Sequence, residues 1–171
     1  MNREKKVSNM NSVSSNATVY GEIDSLDFAI YLNKKAKEAN KHINVTKLQK
    51  WLYICYGLYL ALYDTQLLKE RPKAWEYGPA FPRVHTAQKK NKGSLDSLVF
   101  RQTRDELGKY DDIIDAALRV FGDWTASELV EWTHNDGMAW KRTIGLEGQK
   151  AYAPMDNLDI KRDFEKLMAN G

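Results

Sequence analysis

The stretch TKLQKWLYICYGLYLALY, residues 46–63, decides the fold class of this chain. Leu48, Trp51, Leu52, Cys55, Tyr59 and Leu62 recur at helical spacing along one face, while Tyr53, Tyr56, Leu60 and Tyr63 fill another. A helix that is apolar on nearly every side has no face to give to water, so it belongs in the middle of a domain with other helices packed around it. Thr46 and Gln49 have the spacing of a capping box and place the start of the helix. The charge-free run Trp51–Tyr63 falls well short of the about 20 residues that span a bilayer, so it reads as a core helix and not as a membrane segment.

Upstream, Asp24 is placed to cap a first helix carrying Phe28, Leu32, Ala36 and Ala39 at helical spacing, with Asn40 as its stop. Downstream, residues 64–79 read as irregular with a short extended piece before Gly78-Pro79, and Pro82 fits the first turn of a third helix that runs to the Lys/Gly break at 89–93. The period of Leu95, Leu98, Val99 and Phe100 leaves residues 95–104 open between strand and short helix. Asp111-Asp112 open a fourth helix through Ile113, Ile114, Ala117, Leu118 and Phe121, with Gly122 at its end. Thr125 and Glu128 repeat the capping-box spacing ahead of a fifth, with Leu129, Val130 and Trp132, which Asn135-Asp136-Gly137 ends. A loop over 145–154 precedes a last amphipathic helix marked by Ile160, Phe164, Leu167 and Met168. The expectation is a mostly α, irregular bundle of about six helices around a central apolar helix, possible β structure being confined to one small element.

At 171 residues, 43% hydrophobic and 29% charged, the chain has the composition of one globular domain able to bury a core. Residues 1–20, rich in Asn and Ser, read as a flexible tail, and residues 21–171 as the folded domain. The N-terminal charges are followed by polar residues where a secretory signal needs an apolar core. The single Cys55 lies in an apolar run, which reads as a buried structural thiol in a reducing compartment; a cytoplasmic location is the expectation. Net charge is only +3, and the basic residues are spread among acids, Lys34, Lys35, Lys37 and Lys41 and the run Lys89, Lys90 and Lys92 being the densest. These read as solvated helix faces, so neither nucleic acid nor membrane is expected as a partner.

No phosphate-binding loop, dinucleotide fingerprint, nucleophile elbow or zinc-binding helix occurs. The three histidines, His42, His85 and His134, have no spacing that gathers metal ligands. His134 reads as a helix-end side chain bonded to a last-turn carbonyl rather than as a general base. No catalytic residue, metal or cofactor is expected. Aromatic content is the more informative feature: five Trp and nine Tyr supply large amphipathic side chains of the kind that anchor interfaces. Trp51, Tyr53 and Tyr56 read as core, whereas Trp75 and Tyr77, beside Gly78-Pro79, are as well placed to be presented as buried.

Three segments in fixed order carry more weight than any one: Lys47-Leu48-Gln49-Lys50-Trp51-Leu52-Tyr53; Ala74-Trp75-Glu76-Tyr77-Gly78-Pro79 with Pro82; and Ser127-Glu128-Leu129 with Trp132-Thr133-His134 and Trp140. Together, over roughly residues 20–145, they resemble the Panacea domain, the SocA-like antitoxins. Trp51 stands where that family often has Leu, and Ala80-Phe81 where it often has Val and another residue before the proline. The resemblance implies a helical antitoxin of a toxin–antitoxin system, phage- or prophage-associated, that neutralises a cognate protein toxin by direct binding. The alternative it carries is an adaptor that delivers a bound partner to an ATP-dependent protease. Trp75, Tyr77, His85 and Trp140 are the residues expected to bind the partner.

Overall fold

The computed structural model describes residues 21–145 and 152–171; the N-terminal stretch read as a flexible tail lies outside the described residues. The described residues form eight helices and one two-stranded hairpin: α1 (Ser25–Glu38), α2 (Val45–Tyr63), β1 (Lys73–Trp75), β2 (Gly78–Ala80), α3 (Pro82–Lys90), α4 (Arg104–Gly108), α5 (Asp111–Phe121), α6 (Ala126–Thr133), α7 (Ala139–Gly145) and α8 (Asn157–Ala169). The fold is mostly α, with two more helices than the periodicity predicted. The additions are short: α4 and α7 give too few turns for an apolar stripe to declare itself. Residues 95–100 form neither strand nor helix, and Val99 is largely exposed. Among the described residues no helix is long and apolar enough to cross a membrane.

α2 is the centre, packed by α1, α3, α5, α6, α8 and β2. Trp51, Leu52, Ile54, Cys55 and Tyr56 are inaccessible to solvent. α8 crosses α2 at Gly57, where a Cβ would lie 2.1 Å from the Phe164 ring, so glycine is needed for close approach there and not for its backbone freedom. Phe164 also meets Tyr53 edge-on at 5.6 Å, and the Tyr56 hydroxyl donates to Asn157 Oδ1 at 2.7 Å.

The start of α2 corrects the capping-box reading. Asn44, not Thr46, is the N-cap, its side chain accepting from Lys47 N–H at 2.8 Å. The polar residues that follow are buried clamps instead. Lys47 Nζ donates to Gly122 O at 3.1 Å and lies 4.9 Å over the Trp51 ring, tying α2 to the end of α5. Gln49 takes the Phe81 N–H on Oε1 at 2.8 Å and donates from Nε2 to Phe81 O at 3.3 Å, a two-way bond to the backbone entering α3. Lys50 Nζ donates to Pro79 O at 3.0 Å, gripping β2. The second capping box is as read: Thr125 Oγ1 accepts from Glu128 N–H, and the Glu128 carboxylate accepts from Thr125 N–H at 2.7 Å. Gly122 ends α5 in a right-handed conformation, and its lack of a Cβ makes room for the Leu118 carbonyl and the Lys41 side chain.

The hairpin pairs Trp75 with Gly78 and Lys73 with Ala80, so Glu76 and Tyr77 form its tip. Its far edge is covered: Ala74 N–H donates to Ala153 O and Tyr152 N–H to Ala74 O, both at 2.9 Å. With α2 beneath β2 and this segment beside β1, the tip is held from two sides.

Candidate partner-binding surface

The hairpin tip organises a shelf of aromatic and imidazole rings. Tyr77, at 69% exposure, is the most solvent-accessible aromatic side chain of the described residues. Behind it Trp75 is half-buried, its ring meeting His85 edge-on at 4.9 Å and Tyr152 edge-on at 5.7 Å. The Trp75 carbonyl accepts from Trp140 Nε1–H at 2.7 Å, and the other side of that support is closed by His134, stacked on Trp140 with ring centroids 3.7 Å apart and planes within 4°.

All four side chains expected to bind a partner therefore belong to one neighbourhood, but with different roles. Tyr77 is presented, Trp75 and His85 form a half-buried floor, and Trp140 is buried, with its N–H and one ring face already occupied. His134 does not bond a last-turn carbonyl with its ring, as its position at the helix end predicted. Its backbone N–H does so, while the ring packs on Trp140 and its buried Nε2 has no hydrogen-bond partner among the described residues.

Two members went unread in the sequence. Tyr152 is far from Trp75 along the chain, and only the Ala74–Ala153 pairing brings it alongside. Lys50 lies under the shelf, and its only hydrogen bond among the described residues is to Pro79 O, with no carboxylate at salt-bridge distance. Burial pulls its ammonium down to about 8, far below the ordinary lysine value. A lysine inside a helix that is apolar on all sides was the sequence signal for it. Gly78 completes the arrangement with φ +103: a Cβ there would meet Thr133 Oγ1 at 2.7 Å and Lys50 Cε at 3.0 Å.

Above the Lys50 ammonium, the two imidazoles of the shelf are both shifted toward the neutral form. His85 is pulled below the usual imidazole range by burial and then by Lys89. His134 is lowered by burial, with the charges of Lys50 and Lys141 adding to it. Both shifts favour the neutral imidazole near pH 7, so His85 offers the shelf a ring face and a single donor and acceptor, while His134 stays packed on Trp140. Such a surface suits recognition by packing and hydrogen bonding. The Cys55 thiol is buried in α2 and pushed up by burial, away from nucleophilic chemistry. Among the described residues no group of three or more His, Cys, Asp or Glu could hold a metal ion.

Residues 48–141 match the family model described as antitoxin SocA-like, Panacea domain. That range starts within the clamp at the head of α2, contains the hairpin, the shelf floor and both supporting rings, and ends in α7. No curated protein and no solved structure matches the chain.

Proposed function

The chain belongs to the antitoxin SocA-like, Panacea domain family, and from that premise we propose that it neutralises a cognate protein toxin by direct, non-enzymatic binding, with the hairpin shelf as the contact face. The observation that carries the choice of face is Tyr77: a large aromatic side chain, 69% exposed, on a tip immobilised by the Lys50–Pro79 and Ala74–Ala153 contacts. With the strand backbone on either side of the tip held before binding, only the side chain's own rotation remains to be fixed when a partner closes on it, and tyrosine and tryptophan are among the side chains that most often dominate interface energies. A standard interface takes about 800 Å² from each partner, so residues around the tip, Glu76 among them, would complete the contact.

The test is co-expression with the cognate toxin, sought first among the products of neighbouring reading frames. The intact chain restores growth; Tyr77→Ala does not, although it accumulates to the same level. Growth restored equally by both would remove the tip from the interface. In the adaptor alternative, the partner is handed on to a protease. Partner half-life separates the two: sequestration makes the toxin accumulate together with this chain, whereas delivery shortens its lifetime.

A further inference from the structure

Away from the hairpin, another face of α6 and the turns at its two ends form a second, open recess, about 270 Å³, lined by Trp124, Glu128, Glu131, Trp132 and Asn135. Its walls are two half-buried indoles braced from behind by Phe121, which lies 5.0 Å from the Trp124 ring and 5.1 Å from the Trp132 ring. Trp132 is further fixed edge-on against Phe164 of α8 at 5.9 Å. Both carboxylates are exposed, and neither has a basic partner within salt-bridge distance among the described residues. Glu128 is held in place by its capping bonds to Thr125, which use Oε2 and leave Oε1 open. Those bonds also hold its carboxyl below the usual range, so it is ionised at neutral pH. The hollow on the other side of Trp132 carries Asp136, Asp163 and Lys166; Asp163 is already bound to Arg142.

Two rigid indoles beside two unpaired carboxylates, in a chain of net positive charge, form an acidic aromatic notch. We propose that this notch is a second docking surface, taking an arginine side chain from an extended segment of a partner protein. A guanidinium is planar, stacks on an indole face and presents its N–H groups to carboxylates in its own plane, so one side chain satisfies both features of the recess. Trp132 and His134 are two residues apart on one helical path and point to different sides of α6, which places this surface apart from the shelf. The inference is independent of which toxin occupies the shelf, and it supplies the second surface that delivery of a bound partner requires.

The experiment is a titration of the full-length, ¹⁵N-labelled protein with the capped tripeptide acetyl-Gly-Arg-Gly-amide, read at the indole Nε1–H signals. Trp124→Phe and Trp132→Phe assign the two signals of the notch. The arginine peptide shifts both signals saturably and leaves the Trp51 signal in place, because Trp51 is buried with its N–H on Phe121 O. The same peptide with citrulline, which keeps the shape and lacks the charge, binds at least tenfold more weakly. Glu128→Gln with Glu131→Gln weakens the arginine peptide by a similar factor; glutamine at 128 preserves the capping box, so the fold survives. Unmoved indole signals, equal binding of the citrulline peptide, or full affinity in the double variant would each overturn the notch. No toxin is present in this titration, so its failure leaves the neutralisation reading standing, and Tyr77→Ala binds the tripeptide as the unaltered protein does.

Discussion

At the scale of single residues, the motif at the head of α2 changes meaning once its partners are known. Thr46 and Gln49 have capping-box spacing, yet Asn44 caps the helix and Gln49 spends its amide on both backbone groups of Phe81. Spacing identifies which residues can reach one another locally, and a buried backbone segment far along the chain can outbid that local bond. The two readings make opposite predictions. Gln49→Ala leaves the buried Phe81 N–H and the buried Gln88 Oε1 without partners and costs about 2–4 kcal/mol, whereas Thr46→Ala stays within about 0.5 kcal/mol. Urea denaturation of the two variants decides it, and a larger loss for Thr46→Ala would restore the capping box. Lys50 adds a pH signature. Its folded value of about 8 lies below the ordinary 10.5, so the unfolded chain binds more protons between these values. The cost of burying the ammonium is therefore fully present below pH 8 and is relieved as pH rises toward 10.5. Lys50→Met removes the titrating group. The stability of Lys50→Met relative to the unaltered protein is expected to fall by up to about 3 kcal/mol between pH 7 and pH 10. A difference that stays flat with pH would contradict the burial of an uncompensated charge.

At the scale of elements, the helices that were legible in the sequence are those long enough to show a stripe. α1, α2, α3, α5, α6 and α8 announce themselves by apolar spacing, by Pro82 at a first turn, by acids at the start of α5, or by the Thr125–Glu128 box. α4 and α7 are too short for periodicity, and α7 is held by tertiary bonds: Asp163 of α8 accepts from Ala139 N–H at its start and pairs with Arg142 at 2.9 Å. The α2–α8 crossing is equally invisible in the sequence, since nothing near Gly57 names Phe164 as its neighbour. It is also the most demanding contact between elements. Gly57→Ala forces a methyl group into the Phe164 ring, and we expect a loss of about 1–3 kcal/mol together with faster proteolytic release of the C-terminal helix. Limited proteolysis followed by mass measurement checks this; an unchanged cleavage pattern would mean the crossing has slack that the geometry does not contain.

At the scale of the whole molecule, the shelf was half legible. Trp75 and Tyr77 sit in one motif, with His85 a short way beyond, so local sequence nominated the presented ring and its floor. Tyr152 and the stacked His134–Trp140 pair are delivered by strand pairing and by the meeting of α6 with α7, which no spacing encodes. Trp140 shows the consequence: sequence alone marks it as an anchor, and its burial makes it a brace. The division between presented and bracing rings yields the direct test of the neutralisation proposal, the affinity of purified toxin for Tyr77→Ala measured by calorimetry beside each protein's melting temperature. Tyr77 is exposed, so the melting temperature should hold to within a degree or so, while Kd rises by about 30-fold, the equivalent of a 2 kcal/mol hot spot. Unchanged affinity in a folded Tyr77→Ala protein would contradict the account and move the toxin to another face.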